Sequence, residues 1–305
     1  MVGWGAPWDM TFLSRPEVVA IFGPTASGKS AVAESAAAGL TTEVVSADAL
    51  QVYRGLPILT NQPASPTRLV AIRDLADEFS VGEYAGLAHD AIDDLVRTVG
   101  AAVVSGGTGL YLRAALVDLE LPPAVDPQAR RRCAELYERD PDAAHARLAE
   151  LDPRAAAAVH RNDGRRVIRA LELAEQDSSL VPTRNRLWST DTRRPTRVFG
   201  LDVPPERLEA RIRARTEAMI ALGVVDEVRH ALAREISRTA EKALGLRELA
   251  DLPQEAALER IVARTRRYAA YQRKWMRRID SIVMIDGDRP PEEVAHEILD
   301  LVSAR

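Results

Sequence analysis

The sequence predicts an α/β fold in which helices pack on a parallel sheet that an all-helical insertion interrupts. Three observations lead to this fold class. Short apolar runs alternate with helix-length segments, which is typical of parallel strands joined by helical crossovers. A glycine-rich turn follows the first run and leads into a helical pattern. The apolar runs are missing between Asp126 and about Arg194, and the 305 residues are enough for two structural units.

Five apolar runs are the predicted strands, because each is short and lies between segments long enough for a helix. They are Val18 to Phe22, Val44 to Val45, Ala101 to Val104, Val198 to Leu201 and Ile282 to Ile285. Helical patterns follow the first of these runs at Ser30 to Leu40 and the fourth at Pro205 to Leu222. We expect these elements to form a core made of residues 1–122 and 197–305.

Residues 123–196 are the predicted insertion, in which three Asp-Pro pairs each precede a helical segment. The pairs are Asp126-Pro127, Asp140-Pro141 and Asp152-Pro153. Asp suits the N-cap, where its carboxylate accepts a backbone N–H, and Pro suits the first helical position. The sequence therefore predicts a helical domain that splits the α/β core into two parts.

Composition narrows the class of protein. The single cysteine, Cys133, cannot close an intrachain disulfide, and no Cys or His cluster has zinc-site spacing. The first residues lack the features of a signal peptide, and no stretch is apolar for long enough to span a membrane. We expect a cytoplasmic, globular protein without a membrane segment. The net charge of −4 indicates no globally basic surface.

A phosphate-binding loop is predicted between the first strand and the first helix. The segment consists of Gly23, Pro24, Thr25, Ala26, Ser27, Gly28, Lys29 and Ser30, which fits the pattern G-x-x-x-x-G-K-[ST]. In such a loop the backbone N–H groups converge on phosphate oxygens, the lysine neutralises charge and the hydroxyl can hold Mg²⁺. The core is therefore expected to be P-loop NTPase-like, with a polyphosphate or diphosphate site. The alternative is a chance glycine-rich turn.

Asp48 follows the second strand in the segment Ser46 to Arg54. Ligands of open parallel sheets bind beyond the carboxyl ends of the strands, so Asp48 is expected beside the phosphate loop. It is a candidate general base, hydrogen-bond acceptor or metal ligand. The alternative is an aspartate that only caps a helix.

A third polar cluster, Ser105 to Tyr111, follows the predicted strand Ala101 to Val104. Ordinary P-loop enzymes commonly end this strand with an acidic residue that holds Mg²⁺, and this chain does not. Its glycines permit close backbone approach to a ligand, and the Thr108 hydroxyl can donate to a phosphate oxygen. A tight strand-to-helix turn explains the same residues.

Arginines recur at helical spacing in several places. Two ladders consist of Arg207, Arg211 and Arg215, and of Arg161, Arg165 and Arg169. The segment Arg260 to Arg278 interleaves cations with Tyr268, Tyr271 and Trp275. Each ladder is either a phosphate-binding face or a solvated one. The basic-aromatic segment is typical either of a nucleic-acid surface or of an amphipathic helix with aromatics in the core.

Five segments together resemble the tRNA dimethylallyltransferases, also called tRNA isopentenyltransferases. The segments are GPTASGKS, SADALQVYRG, GGTGLYLRA, NDGRRVIRALEL and TRRYAAYQRKW, in the family's order and within residues 18–288. The resemblance implies a P-loop core with a helical insertion that helps to grip the tRNA anticodon stem-loop. It also implies transfer of a dimethylallyl group from dimethylallyl diphosphate to N6 of adenine 37, next to the anticodon.

The resemblance assigns roles to the residues that match the family's motifs. The implied catalytic residues are Lys29, Asp48, Thr108 and Arg215. The implied diphosphate site consists of Gly23 to Ser30 and Arg211, with Mg²⁺ on Ser30. The implied tRNA contacts are Asp48, Ala49, Leu50 and Gln51 around the target base, and Arg165, Arg166, Val167, Ile168 and Arg169 in the insertion. Asp48 would accept the proton or hydrogen bond of the adenine amine. We expect the enzyme to be a monomer.

Three other functions stay open at this point. One keeps the chemistry but uses a free adenine nucleotide as acceptor, which would leave the insertion without a purpose. Another is a P-loop kinase of a small metabolite, in which Lys29 and Ser30 bind ATP with Mg²⁺. The third is a non-catalytic RNA-binding protein with a relict phosphate loop.

Overall fold

The computed structural model describes residues 16–123, 126–182, 186–187, 190–279 and 281–304. Its strands in these ranges are β1 (Val18–Phe22), β2 (Val44–Ser46), β3 (Thr67–Arg68), β4 (Ala102–Gly106), β5 (Thr196–Asp202) and β6 (Ile282–Asp286). They pair in parallel throughout, in the order β3-β2-β4-β1-β5-β6. The prediction of a parallel α/β core is confirmed, and each of the five predicted runs is a strand.

The helices alternate with the strands or fill the insertion. They are α1 (Lys29–Gly39), α2 (Val81–Val99), α3 (Gly109–Leu116), α4 (Pro127–Arg139), α5 (Pro141–Leu151), α6 (Pro153–Ala158), α7 (Gly164–Ala174), α8 (Pro205–Ala221), α9 (Val224–Leu232), α10 (Leu246–Asp251), α11 (Gln254–Met276) and α12 (Pro291–Ser303). A short 3₁₀ turn, Ala240–Lys242, precedes α10. In the described residues, no helix combines the length and apolar character that a membrane crossing requires.

The chain separates into two compact units. One consists of residues 1–117 and 190–305, and the other of Asp118–Ser189. The chain re-enters the α/β unit before β5 begins, because the segment that precedes this strand already forms hydrogen bonds with the core. The Arg193 N–H donates to the carbonyl of Leu116 at 2.8 Å, and the Arg194 guanidinium bonds the Asp93 carboxylate at 2.7 Å.

The α/β unit is held together by apolar residues on the face of the sheet that α1 and α12 cover. Both β1 and β4 are buried along their whole length, as parallel central strands usually are. Phe199 and Ile21 are fully buried against Ala33 of α1 and Ile298 of α12. This packing fixes the carboxyl ends of β1, β2, β4 and β5 at one edge of the sheet.

The helical unit has its own core and begins its helices as its sequence indicates. The carboxylates of Asp126, Asp140 and Asp152 accept backbone N–H groups at 3.0 Å in the first turns of α4, α5 and α6, and each helix begins at a proline. Leu148 and Leu171 lie in the buried cluster that joins these helices. Local capping chemistry therefore defines this unit's helices.

Candidate active site

The site lies at the carboxyl edge of the sheet, in a cavity of about 380 Å³. The lining side chains come from loops and helices that are far apart in sequence. They include Thr25, Lys29 and Ser30 of the phosphate loop, Asp48 and Gln51 after β2, Arg211 and Arg215 of α8, and Tyr268 and Gln272 of α11. The strand order explains the meeting, because β2, β4, β1 and β5 are neighbours and their carboxyl ends share one edge.

The phosphate loop joins β1 to α1 in a conformation suited to an anion. Gly28 has a φ of 87°, in the left-handed region that glycine adopts readily, and no side chain caps the helix that starts after it. The first N–H groups of α1 are therefore available to phosphate oxygens, where the helix dipole adds positive charge. Ala26 also has a positive φ, 64°, which costs energy for a residue with a Cβ.

Lys29 is the cation inside the loop, and its Nζ donates to the carbonyl of Pro24 at 3.4 Å. Burial lowers the pKa of Lys29 to about 8, although the charge of Asp48 acts to raise it; Arg215 lowers it further. A bound anion would reverse this effect by favouring the charged amine. The buried amine of Lys29 therefore favours the binding of a negatively charged ligand in this loop.

Two arginines of α8 reach the cavity in different states. Arg215 is largely enclosed, and its Nη1 donates to the hydroxyl of Thr25 at 3.1 Å. Burial lowers the pKa of Arg215, and Asp48 opposes that shift. Arg211 donates to the carboxylate of Asp288 at 2.7 Å, and Arg207, one turn earlier, bonds the same carboxylate at 3.0 Å. Both Arg211 and Arg215 therefore line the cavity, but Arg211 is also held in an ion pair with Asp288.

Asp48 combines a local structural role with a free oxygen. Its Oδ1 accepts the backbone N–H groups of Leu50 and Gln51, at 2.9 and 3.4 Å. Within the described residues Oδ2 has no hydrogen-bond partner, and Asp48 lines this cavity and a second one. One oxygen thus fixes the loop while the other is free to accept a proton.

The segment after Asp48 is held rigidly. Gln51 accepts the hydroxyl of Ser46 through Oε1 at 2.8 Å and donates through Nε2 to the carbonyl of Asn61 at 2.8 Å. Leu50 lines the second cavity, and Ala49 is half-buried beside it in the chain. These bonds occupy the Gln51 amide and fix its position in the wall of the first cavity.

The second cavity, of about 100 Å³, adjoins the first, because both are lined by Thr25, Asp48, Thr60, Arg215 and Tyr268. Its remaining lining is mainly apolar and comprises Leu50, Leu59, Ile212, Met219, Ala243, Leu244 and Ile261, with Thr216 and Thr265. A charged chamber and a small apolar chamber therefore meet beside Asp48.

Thr108 lies one hydrogen bond away from the cavity wall. It occupies the N-cap position of α3 without capping the helix, and its hydroxyl is 2.8 Å from the hydroxyl of Tyr268, which does line the cavity. The sequence left two explanations open for the glycines around it, close approach of a ligand or a tight turn, and the structure adds a contact that neither explanation included. A Cβ on Gly107 would lie 2.4 Å from Nε2 of Gln272, and one on Gly109 would lie 2.1 Å from the ring of Trp275. These glycines admit side chains of α11.

The insertion segment predicted to contact tRNA lies on α7, where its side chains divide between surface and core. Arg165 and Arg166 are exposed. Val167 is fully buried, so its side chain is not accessible to RNA, whereas Ile168 packs against the same cluster and is half-buried. Arg169 bonds Glu172 at 3.1 Å and the carbonyl of Pro123 at 2.8 Å. Arg165 and Arg166 are therefore the most accessible side chains of the segment, and its contact with tRNA stays a prediction.

Two residues without a predicted role support the site. Gln272 of α11 accepts the backbone N–H of Thr25 at 2.8 Å. Glu227 of α9 accepts the N–H groups of Ile58 and Leu59, both at 2.8 Å, in the loop that holds Gln51. Burial raises the pKa of Glu227, against the effect of these two bonds. The motif TRRYAAYQRKW contains Gln272, but its contact could not be read from spacing.

Comparison with known proteins agrees with this geometry. A model of the IPP transferase family matches residues 51–279. The tRNA dimethylallyltransferase of Kineococcus radiotolerans is 39% identical over 315 residues, covering 95% of this chain and 98% of that protein. The enzyme of the same name from Thermobifida fusca is 39% identical, covering 90% and 91%.

Solved structures lead to the same family. The tRNA isopentenylpyrophosphate transferase of Bacillus halodurans superposes with a TM-score of 0.68 at 30% identity, covering 94% of this chain and 96% of its own. A eukaryotic dimethylallyltransferase acting on tRNA gives a TM-score of 0.72 at 25% identity, covering 88% and 73%. The chain belongs to the IPP transferase family.

Proposed function

We propose that this protein transfers a dimethylallyl group from dimethylallyl diphosphate to N6 of adenine 37, next to the anticodon of tRNA. The products are N6-(dimethylallyl)adenosine in tRNA and diphosphate. One observation carries the proposal: the anion-binding groups Lys29 and Arg215 share a cavity with the free carboxylate oxygen of Asp48. The names of the relatives support dimethylallyl transfer to tRNA.

The two chambers suggest how the donor is held. The diphosphate would lie on the phosphate loop, Gly23 to Ser30, with Lys29, Arg215 and Arg211 around its oxygens. The dimethylallyl group would enter the apolar chamber between Leu50, Ile212 and Met219. The carbon that reacts would then lie near Asp48, where the two chambers meet.

The transfer exchanges one bond for another. The bond between the donor carbon and the diphosphate oxygen breaks, and its electron pair stays on diphosphate, where Lys29 and Arg215 stabilise the growing charge. The N6 nitrogen bonds to the carbon, and its proton passes to Oδ2 of Asp48. Thr108 would assist the transfer through its hydrogen bond to Tyr268, which lines the cavity. The adenine has to leave its stack to reach Asp48, as a loop base does most easily.

Mg²⁺ fits the donor set of this site. The hydroxyl of Ser30 lines the cavity beside the carboxylates of Asp48 and Glu34, and oxygen ligands are those that Mg²⁺ prefers. The described residues contain no cluster of three His, Cys, Asp or Glu side chains that could hold a metal ion. We therefore propose Ser30 as the residue that would hold a Mg²⁺ ion bound together with the diphosphate. Such an ion would supply positive charge to the leaving group.

The tRNA anticodon stem-loop is the proposed acceptor, with Arg165 and Arg166 of the helical unit as backbone contacts. A free nucleotide as acceptor would not need the contacts of Arg165 and Arg166. A kinase is not favoured, because the family is one of prenyl transferases and β4 ends in Ser105 and Gly106, without the usual acidic ligand. The cytoplasm and a monomeric state stay predictions.

The experiment is incubation with labelled dimethylallyl diphosphate and one of three acceptors: unmodified anticodon stem-loop, the same stem-loop with guanine at position 37, or AMP. We expect label only on the first. Label on AMP in preference to the stem-loop would replace the proposal with a nucleotide prenyltransferase. Label on none of them, while an enzyme of demonstrated activity succeeds, would refute it.

A further inference from the structure

One face of helix α11 contacts both the phosphate loop and the turn after β4 that contains Thr108 and Gly109. Tyr268, Gln272 and Trp275 lie at positions i, i+4 and i+7, which share a face of a helix. The Tyr268 hydroxyl meets that of Thr108, and the Trp275 ring lies against Gly109. Gln272, between them, is the residue that reaches the phosphate loop.

Gln272 is 4% exposed, and its side chain lies between two backbone segments, at Thr25 and Gly107. Its Oε1 accepts the N–H of Thr25 at 2.8 Å, across 247 residues of sequence. Its Nε2 lies so close to Gly107 that a Cβ there would approach within 2.4 Å. The same Cβ would be 3.0 Å from the carbonyl of Gly23, so Gln272 and the phosphate loop enclose this turn together.

The loop needs such external contacts because its backbone is strained. Ala26, directly after Thr25, has a φ of 64°, and residues in that region persist only where surrounding structure holds them. Two tertiary hydrogen bonds act at Thr25: Gln272 on its N–H, and Arg215 on its hydroxyl. The arginine also faces the cavity, where a diphosphate would compete for it. Gln272 can keep its bond while the anion is bound.

We propose that Gln272 is a positioning residue that holds the phosphate loop in its anion-binding conformation through the Thr25 amide. The inference rests on the proposed function, in which this loop binds the diphosphate of the prenyl donor. Helix α11 then has two faces with different roles. The inner face belongs to the donor site, and the outer face, with exposed Arg267 and Lys274, does not.

The test compares three variants of the full chain. Gln272→Met removes the acceptor and keeps the length of the side chain, whereas Gln272→Glu keeps an acceptor oxygen. Gln254→Met makes the same change at an exposed position in the first turn of α11 and is the matched control. Hydrogen exchange of the Thr25 amide in ligand-free protein reports the bond, and calorimetry with inorganic diphosphate reports the site.

For Gln272→Met we expect about tenfold faster exchange at Thr25 and about tenfold weaker diphosphate binding, as for the loss of one buried hydrogen bond. The affinity for an anticodon stem-loop in the absence of donor should stay unchanged. Gln272→Glu should keep Thr25 protected, and Gln254→Met should match the wild type in every measurement.

Unchanged exchange and unchanged diphosphate affinity in Gln272→Met would overturn the proposal. So would loss of stem-loop affinity with full diphosphate binding, since that would place Gln272 in RNA recognition. The proposed function fails separately: a wild-type protein that binds diphosphate but modifies no tRNA refutes the reaction and leaves the role of Gln272 standing. If wild type binds no diphosphate, the Thr25 exchange comparison still decides whether Gln272 holds the loop.

Discussion

The charge on Lys29 should set the pH range in which diphosphate binds. In the free protein, burial lowers the pKa of Lys29 to about 8, in spite of Asp48. A bound diphosphate favours the charged amine and raises that pKa again. Binding therefore takes up close to one proton well above this pKa, about half a proton near it and little at pH 7. The affinity for diphosphate is highest below this pKa, where the amine is already charged, and falls as the pH rises through it.

The size of the effect follows from the charged fraction of the amine. With a pKa of about 8, roughly one-eleventh of the free protein carries the Lys29 charge at pH 9, so the dissociation constant should rise about elevenfold from its acid limit. At pH 7 the rise should be only about 1.1-fold. An ordinary exposed lysine, with a pKa near 10.4, would show almost no change in this range.

Calorimetry with inorganic diphosphate between pH 6.5 and 9.5, in buffers of different ionisation enthalpy, measures both the affinity and the proton uptake. Lys29→Arg is the control, because a guanidinium stays charged throughout and its profile reports only the ionisation of the ligand. The difference between the two profiles isolates the amine. Identical profiles, with no proton uptake specific to the wild type, would refute the reasoning about Lys29.

Three further changes test other parts of the site. Asp48→Asn keeps the loop bonds to Leu50 and Gln51, and it should slow single-turnover transfer about 10²–10⁴-fold without weakening diphosphate binding; a rate within threefold of wild type would remove Asp48 as the base. Glu227→Gln leaves one of the two loop amides, Ile58 or Leu59, unpaired, so the free energy of unfolding should fall by about 1–3 kcal/mol in denaturant titrations; no change would show that these two hydrogen bonds do not stabilise the fold. The double variant Arg165→Gln/Arg166→Gln should weaken stem-loop binding and flatten its salt dependence with donor affinity intact, measured by fluorescence anisotropy; an unchanged salt slope would exclude these contacts.

Features set by neighbouring residues were predictable from the sequence. Asp140 followed by Pro141 specifies a helix start in both the cap and the first position, and the structure has the helix there. The phosphate loop is equally local, since its pattern fixes the turn and the helix in one segment. The two-residue strand β3 was not predicted, because Thr67 and Arg68 form no apolar run and pair only along the edge of the sheet.

Contacts between distant segments were not predictable. The sequence interpretation left the glycines near Thr108 open to a ligand, but Gly107 and Gly109 admit Gln272 and Trp275. These pairs are separated by more of the chain than any spacing rule covers. Val167 illustrates a related limit. It lies in a segment that resembles an RNA-binding motif, but its side chain is buried in the core of the helical unit.

The most direct measurement of the central claim is mass spectrometry of tRNA nucleosides from cells with and without this gene. We predict that N6-(dimethylallyl)adenosine and nucleosides derived from it disappear from position 37 when the gene is deleted. The wild-type gene should restore them, and the Asp48→Asn variant should not. Unchanged modification at position 37 in the deletion strain would contradict the account.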